Sequence, residues 1–240
     1  MKKPLCIDLF AGLGGWADGF LAEGYDVVGF DIERHQYGEE KYPAQLVLQD
    51  VLTLHGSQFR NAAVIVASPP CQEYSYMAMP WKLAKAKAAW YREVPMRQLE
   101  LNCLLNACFR IAHQAGVPLV VENVCGAQPW IGRARANYGS FYLWGDVPAL
   151  IPYAKAFSAT KVPSEEGRRT DPGKGARFTT RDCGNEKGFA KEWRDSPNGM
   201  PMMSSKSPAR KAASAQIAKI PFPLAQHIAR VFKPAEILCG

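Results

Sequence analysis

The stretch LCIDLFAGLGG, residues 5–15, decides the fold of this chain. Its apolar first half predicts a buried β-strand over residues 5–10, and the glycines after it predict a tight turn into a helix. Gly12, Gly14 and Ala17 fit the pattern G-x-G-x-x-G/A, in which a backbone turn approaches a nucleotide at the N-terminus of a helix. A tight turn without a ligand is the alternative interpretation of the same glycines.

Two acidic residues follow the glycine turn at the ends of predicted strands. Asp31, in a strand over residues 25–32, lies 19 residues after Gly12. A carboxylate there accepts hydrogen bonds from ribose hydroxyls, in nicotinamide dinucleotide enzymes and in S-adenosylmethionine enzymes alike. Asp50 follows a strand over residues 46–49 and either accepts the adenine amino group or caps a helix. The pattern predicts a nucleotide-type cofactor without identifying it.

Strand-like and helix-like segments continue to alternate beyond this turn. Two more strands are predicted over residues 62–67 and 119–121, with a helix between them that begins near Pro95 and ends at Gly116. A last amphipathic helix is predicted over residues 223–232. This alternation predicts an α/β fold of the Rossmann-like kind, a mostly parallel sheet with helices on both faces.

The composition favours a soluble protein with a large core. Hydrophobic residues make up 48% of the 240 residues, and no run approaches the roughly 20 apolar residues that cross a bilayer. The opening MKKPLCIDLF lacks the apolar core and cleavage site of a secretory signal, so we expect a cytoplasmic protein without membrane contact. Seven cysteines without C-x-x-C spacing and four dispersed histidines indicate neither a disulfide framework nor a metal site.

The charge is concentrated in one part of the chain. The net charge is +7, and residues 146–211 contain 13 Lys and Arg against 8 Asp and Glu. This segment is also rich in Gly, Pro and Ser. A positive excess of this kind suits a phosphate-rich partner such as nucleic acid, although a solvated basic surface has the same composition.

Two further stretches place reactive side chains where predicted strands end. In SPPCQEYS, residues 68–75, two prolines exclude a helix and present Cys71 directly after a buried strand. In VENV, residues 121–124, Glu122 and Asn123 interrupt an apolar run. A buried carboxylate there costs several kcal/mol unless it is paired or stays protonated for a task. Because parallel strands end at one edge, a nucleophile and an acid face one crevice beside the nucleotide site.

Together these stretches resemble the motifs of the DNA (cytosine-5) methyltransferases. The matching segments are DLFAGLGG (8–15), SPPCQEYS (68–75), VENV (121–124) and, more loosely, IPFPLAQHIA (220–229), and they occur in the order of that family. The resemblance implies a small bacterial or phage-type enzyme that modifies double-stranded DNA with S-adenosylmethionine (SAM). It implies a catalytic, SAM-binding domain over residues 1–145 and 213–240, and a small target-recognition region over residues 146–212. We expect a monomer in the cytoplasm of a bacterium or a phage-infected host.

The resemblance also implies the role of each residue. Cys71 adds to carbon 6 of a flipped cytosine, Glu122 meets the ring at its N3 edge, and Asn123 shapes the turn behind Glu122. The loop over residues 72–94, which contains aromatic side chains and the lysines Lys82, Lys85 and Lys87, closes over the base. Cofactor contacts are expected from Phe10, Ala11, Gly12, Gly14, Gly15, Asp31, Ile32, Asp50, Val51, Pro69, Lys219 and Ile220. DNA contacts are expected from Gln72, Ser75, Arg168, Arg169, Arg177 and Arg181, although a solvated surface is the equal alternative for each arginine.

The chain departs from the family pattern at two places. Arg133 and Arg135 follow Glu122 by only 11 and 13 residues, closer than the Arg-x-Arg of the family, so their role at the target nucleotide is carried over weakly. Ala218-Lys219 stands where the family commonly has Gly-Asn near the cofactor. An ammonium there repels a sulfonium and attracts carboxy-S-adenosylmethionine, whose product is 5-carboxymethylcytosine. Alternatively, Lys219 turns outward to phosphate or solvent.

Three other functions stay open. The RNA-acting branch of the family shares the Cys and Glu chemistry. A NAD-dependent dehydrogenase fits the glycine turn but leaves Pro-Pro-Cys and Glu-Asn-Val unexplained. A DNA-binding module that flips bases without chemistry has no use for the thiol of Cys71.

Overall fold

The computed structural model describes residues 3–75, 81–152 and 208–234. Its strands are β1 (Leu5–Leu9), β2 (Asp26–Asp31), β3 (Gln36–Tyr37), β4 (Glu40–Lys41), β5 (Gln45–Leu48), β6 (Val64–Ala67), β7 (Leu119–Asn123), β8 (Ala136–Tyr138) and β9 (Phe141–Gly145). Its α-helices are α1 (Gly15–Ala22), α2 (Trp81–Glu93), α3 (Pro95–Leu101), α4 (Cys103–Ala115), α5 (Gln128–Ile131), α6 (Pro208–Ala218) and α7 (Phe222–Phe232).

Seven of these strands form one sheet, in the order β5-β2-β1-β6-β7-β9-β8. The first five are parallel to one another, while β9 pairs antiparallel with β7 and with β8. Strands β3 and β4 form a separate hairpin. The predicted mostly parallel sheet with covering helices is confirmed.

Each face of the sheet has its own core, because successive side chains of a strand point to opposite faces. On one face, Cys6, Val64, Val66 and Val120 pack with apolar side chains of α1 and α7, in what we call the α1 face. On the other face, alternate strand residues such as Ile7 and Ile65 pack against α4. Helices on both faces explain why the central strands read as continuous apolar runs.

The predicted strands exist, with bounds that differ by one or two residues. The largest functional difference is at β7, which continues beyond Val121 to include Glu122 and Asn123. The helix predicted from Pro95 to Gly116 is two helices, α3 and α4, which meet at Asn102. The amide of Asn102 donates to the Trp130 carbonyl oxygen, so tertiary contacts hold this break. Gly116 ends α4 with φ of 70°, as its position in the sequence predicts.

Helices α1 and α7 pack closely because small residues face each other. A Cβ atom on Gly19 would lie 2.5 Å from the Cβ of Ala225, and one on Gly15 would lie 2.4 Å from the backbone nitrogen of Ile220. This contact brings Lys219 and Ile220 beside the start of α1. The C-terminal part of the described chain therefore contributes to the region around the glycine turn.

The predicted domain division stays a prediction. Most of the region 146–212 lies outside the described residues, and helix α6 runs across the predicted boundary between residues 212 and 213. Among the helices of the described ranges, none combines the length and apolar character that crossing a membrane requires.

Candidate active site

The glycine turn lies between β1 and α1, at the carboxyl end of β1. Phe10, Gly12 and Gly14 all have positive φ, of 60°, 51° and 77°. A Cβ on Gly14 would also lie 2.3 Å from Cδ of Pro43, so the turn requires glycine there for two reasons. The N–H of Gly12 points to β2 and donates to Oδ2 of Asp31 at 3.0 Å.

The surroundings of Asp31 fit the ribose and base of a nucleotide-type cofactor. Its Oδ1 accepts from the N–H of Glu33 at 3.3 Å and lies 3.6 Å from Nε2 of His35. The next side chain, Ile32, is 74% exposed although it is apolar. A carboxylate beside an open apolar surface at the carboxyl end of a strand is suited to hold ribose hydroxyls and an aromatic base. The residues present therefore fit SAM.

Asp50 has a partner within the chain. Its Oδ1 accepts from the N–H of Leu52 at 2.9 Å and caps the short 3₁₀-helix Val51–Thr53. Of the two interpretations of Asp50, the structure displays the contact expected for a helix cap. Val51 itself is buried in the core beside it.

The loop after β6 presents Cys71 at the same edge. The carbonyl oxygen of Cys71 accepts from the N–H groups of both Tyr74 and Ser75 at 3.0 Å, which closes a tight turn around the residue. The side-chain amide of Asn123 donates to the carbonyl oxygen of Pro69 at 2.9 Å, and so ties the Pro-Pro segment to β7. The Asn123 side-chain oxygen accepts from the N–H of Val124. Asn123 thus shapes the backbone around Cys71 as well as the turn that follows Glu122.

Glu122 and Cys71 interact electrostatically across this edge. Burial raises the pKa of Glu122 to about 8, although a hydrogen bond from Ser68 acts in the opposite direction. Burial, and next the charge of Glu122, raise the pKa of the Cys71 thiol above its usual value. Near neutral pH, Glu122 therefore holds a proton that it can donate, and the negative charge that would oppose a Cys71 thiolate is absent.

Further contacts anchor the Cys71 loop to the helices beside it. The hydroxyl of Tyr74 lies 2.9 Å from the side-chain oxygen of Asn102 at the junction of α3 and α4. Glu73 Oε2 accepts from the Tyr91 hydroxyl at 2.8 Å and lies 2.6 Å from Nζ of Lys87. Lys87, expected among the phosphate-seeking lysines of the loop, is therefore paired within the protein. The sequence did not predict Glu73, Tyr91 or Asn102 because each acts through a partner distant in the chain.

Lys219 reaches the start of α1 but is paired there. Its ammonium lies 2.8 Å from Oδ2 of Asp18, in an ion pair whose two side chains are each about a third exposed, 30% for Lys219 and 35% for Asp18. The next residue, Ile220, is the one whose backbone packs against Gly15. The lysine lies near the glycine turn, with its charge balanced by a carboxylate.

Not every expected site residue lies at this edge. Arg133 and Arg135 line a groove with Leu119 at the amino end of β7 and with the C-terminal end of α4, whereas Glu122 lies towards the carboxyl end of β7. The N–H of Arg135 donates to the carbonyl oxygen of Leu143, the residue opposite Glu122, and the role of the two arginines at the target nucleotide stays a prediction. Gln72, exposed, and Ser75, half-buried, flank the Cys71 turn. Arg168, Arg169, Arg177 and Arg181 lie outside the described residues.

Trp16 and Ser68, two residues near this edge, form a contact that the sequence did not predict. The indole N–H of Trp16 donates to Oγ of Ser68 at 2.9 Å. Ser68 lies beside Glu122, and its hydroxyl lowers the pKa of that carboxyl. Alternation along β6 could have placed Ser68 on the face of Val64 and Val66. The register with β7 that sets it beside Glu122 could not be read from the sequence.

The glycine turn, the acid at the end of β2, the Cys71 thiol and the buried Glu122 lie at one edge of a doubly wound sheet. This arrangement is typical of proteins that bind a nucleotide-type cofactor. Residues 5–85 match the model of the family described as C-5 cytosine-specific DNA methylase. The match includes the glycine turn and the Pro-Pro-Cys segment, and the resemblance to this family is confirmed for that part of the chain. No curated protein matches the chain.

Several solved structures are similar to part of the chain. One, described as a DNA modification methyltransferase encoded within an E. coli prophage, is 23% identical over 52% of this chain and 33% of its own, with a TM-score of 0.34. The S. pombe Dnmt2 methyltransferase is 16% identical over 53% of this chain and 36% of its own, with a TM-score of 0.32. The Entamoeba histolytica methyltransferase EhMeth is 20% identical over 54% of this chain and 40% of its own, with a TM-score of 0.33. This chain therefore spans well under half the length of each.

Proposed function

We propose that the protein transfers a methyl group from SAM to carbon 5 of cytosine in double-stranded DNA, with Cys71 as the covalent nucleophile. The observation that carries the proposal is the position of Cys71, just after β6, and of the buried Glu122, on the adjacent strand β7, at the same edge as the glycine turn. The pKa of Glu122, raised to about 8, agrees with a proton donor there. The family match over residues 5–85 supports it, since that segment contains both the turn and Cys71.

In this proposal the cofactor lies across the carboxyl ends of β1 and β2. Asp31 would hold the ribose, Ile32 would pack on the base, and Gly12 and Gly14 would let the backbone come close. Phe10, Ala11, Gly15, Val51, Pro69 and Ile220 would complete the walls of this cleft. Bound there, SAM supplies an electrophilic methyl group.

The protein side of the reaction follows from the two paired groups. The Cys71 thiol first loses its proton to solvent. The thiolate then forms a bond to carbon 6 of the cytosine, and the electron pair displaced from the ring double bond makes carbon 5 nucleophilic. Glu122 donates its proton towards N3, where charge accumulates. After transfer, N3 returns its proton to Glu122 and a solvent base takes the proton of carbon 5. The electron pair left behind reforms the ring double bond as the bond between carbon 6 and sulfur breaks, which restores the thiolate. The nucleophile and the proton donor of this sequence lie at the same edge of the sheet.

The target base must leave the double helix to meet Cys71. We therefore propose base flipping. The sulfur of Cys71 lies at a recessed edge of the sheet, and it cannot contact carbon 6 of a base that is still stacked and paired in a duplex. Gln72 and Ser75 flank the nucleophile and would contact the flipped nucleotide or its neighbours. Reading of the flanking sequence is assigned to the region 146–212, with these arginines as candidates: Arg168, Arg169, Arg177 and Arg181. The same proposal places the protein in the cytoplasm of a bacterium or a phage-infected host, as a monomer.

The pairing of Lys219 favours methyl over carboxymethyl transfer. An ammonium bonded to Asp18 at 2.8 Å is already neutralised, so it neither repels the sulfonium of SAM strongly nor offers a free charge to a carboxylate on the cofactor. Mass spectrometry of nucleosides from DNA of cells that express the protein separates the two. We expect 5-methylcytosine, and 5-carboxymethylcytosine would show that the lysine leaves Asp18 for the cofactor.

A transfer assay tests the proposal against its rivals. Purified protein is incubated with labelled SAM and either duplex DNA or tRNA, alongside Cys71→Ser and the matched control Cys103→Ser, whose exposed thiol begins α4. We expect label in DNA with the unmodified protein and with Cys103→Ser, and none with Cys71→Ser. Label only in tRNA would indicate an RNA enzyme, and binding without transfer would indicate a DNA-binding module.

A second assay tests the covalent step itself. Duplex DNA that contains 5-fluorocytosine at the target position retains fluorine on carbon 5, so the final loss of a proton cannot occur and the bond to sulfur persists. We expect a denaturation-resistant complex whose mass equals that of protein, DNA and one methyl group, and none with Cys71→Ser. An equal yield with Cys71→Ser would show that another residue is the nucleophile.

A further inference from the structure

A chain of hydrogen bonds leads from helix α1 to the carboxyl of Glu122. Trp16, the second residue of α1, donates its indole N–H to Oγ of Ser68 at 2.9 Å. The register of β6 and β7 pairs Ala67 with Val121, which sets Ser68 beside Glu122 on the α1 face. There the Ser68 hydroxyl is placed to donate to the Glu122 carboxyl, and it lowers the pKa of that carboxyl against the effect of burial.

The donors and acceptors available fix the direction of these hydrogen bonds. An indole N–H is a donor only, so the Ser68 oxygen must accept from it, and the single hydroxyl proton of Ser68 is left for Glu122. Trp16 is only 2% exposed and packs within the core of the α1 face, so its ring cannot turn away to solvent. The chain runs from Trp16 through Ser68 to Glu122.

We propose that Trp16 and Ser68 are positioning residues for Glu122, which hold one carboxyl oxygen as an acceptor so that the carboxyl's own proton stays on the oxygen nearer the substrate. The catalytic role of Trp16 and Ser68 rests on the proposed function, whereas the arrangement of Trp16, Ser68 and Glu122 is a property of the free protein. A carboxyl that received no such bond could place its proton on either oxygen, and half of those arrangements could not donate to N3.

The chain also links the cofactor cleft to the catalytic carboxyl. Trp16 follows Gly14 and Gly15, so the turn that would receive the cofactor and the side chain that orients Ser68 lie on adjacent residues. Donation to the carboxylate stabilises its charged form and acts against burial. Loss of the chain should therefore raise the pKa of Glu122 further.

The test uses the free protein, labelled with ¹⁵N at tryptophan, whose indole N–H resonances are followed from pH 5.5 to 9.5. The Trp16 resonance is assigned by its loss in Trp16→Phe. We expect it to shift with the titration of Glu122, and to become flat in Glu122→Gln and in Ser68→Ala. Trp144, whose indole N–H donates to the Gly132 carbonyl oxygen at 2.9 Å, is the internal control and should stay constant. A Trp16 resonance that does not titrate, or that titrates unchanged in Glu122→Gln, would overturn the proposal.

Kinetics provide the second readout. In Ser68→Ala we expect the alkaline limb of the pH profile of kcat to move upward by up to about one unit, since one hydrogen bond to a charged group is lost. We expect kcat to fall with KM for SAM unchanged, and Ser68→Thr, which keeps the hydroxyl, to restore the original profile. An unchanged profile in Ser68→Ala would count against the positioning role. If the Trp16 resonance follows Glu122 but no nucleic acid is modified, the hydrogen-bonded chain stands and the proposed function fails.

Discussion

Two buried carboxyls, Asp8 and Glu122, lie on the same face of the sheet at different positions along their strands, and only Glu122 lies at the edge where Cys71 is found. The register places Asp8 beside Val66, and Val66 beside Val120, so Glu122 lies two residues closer to the carboxyl edge than the level of Asp8. Burial is the main cause of the raised pKa of both groups. Burial therefore favours the protonated form of both carboxyls.

Their surroundings differ in everything else. Oδ2 of Asp8 accepts from the Tyr42 hydroxyl at 3.0 Å, and its Oδ1 has no hydrogen-bond partner among the described residues. Glu122 instead has Ser68 behind it and Cys71 beside it. A raised pKa is thus common to both carboxyls, and access to a nucleophile at the edge distinguishes the one that can act. The following predictions test this contrast.

The largest effect is expected on catalysis. Glu122→Gln removes the proton donor while keeping a side chain of similar size, so methyl transfer should fall by about 10²–10⁴-fold. Asp8→Asn, the matched change at the enclosed carboxyl, should keep activity within about tenfold. Transfer of label from SAM to duplex DNA at saturating substrate measures both. Equal losses in the two variants would remove the distinction between the two carboxyls.

The next effect is on the pH dependence of stability. The folded-state pKa of Glu122, about 8, lies above its ordinary value of 4.5, so folding favours the protonated form. The free energy of unfolding should therefore fall as pH rises between these two values, by about 1.4 kcal/mol for each unit of pKa difference, and level off above pH 8. Glu122→Gln should flatten the curve, which urea denaturation at pH 6 and pH 8.5 measures. An unchanged slope would show that Glu122 is ionised in the folded protein.

A smaller effect is expected on the packing around Asp8. Asp8→Leu leaves the Tyr42 hydroxyl buried without its acceptor, which should lower the free energy of unfolding by about 1–3 kcal/mol. Adding Tyr42→Phe should restore most of this loss, because both polar partners are then gone. Urea denaturation of the two single variants and the double variant measures the coupling. Additive losses would mean that the Tyr42–Asp8 bond contributes nothing of its own.

The smallest effect is on the reactivity of the nucleophile. Ionised Glu122 raises the pKa of Cys71, so Glu122→Gln should shift the pH midpoint of Cys71 alkylation downward by less than about one unit. Mass spectrometry of the peptide that contains Cys71 follows the reaction with iodoacetamide from pH 6 to 10. Cys103 provides a second thiol in the same samples, and its profile should be identical in both proteins.

The sequence was sufficient for those parts of the fold and site that depend on local pattern. The glycine turn, the five parallel strands and the placement of Cys71 and Glu122 at strand ends followed from apolar runs and from the residues that interrupt them. Contacts between distant segments could not be predicted. Trp16 and Ser68 are 52 residues apart, and their bond depends on which strands are neighbours and in what register. The break at Asn102 and the pairing of Lys219 with Asp18 depend on tertiary contacts in the same way.

The close approach of Gly15 to the backbone of Ile220 has a consequence for synthesis in the cell. The wall of the glycine turn is finished by residues that leave the ribosome long after the turn itself, so a nascent chain cannot complete this cleft until the segment from Ile220 onwards has emerged and docked. Under the proposed function, an unfinished chain would therefore lack one wall of its cofactor site.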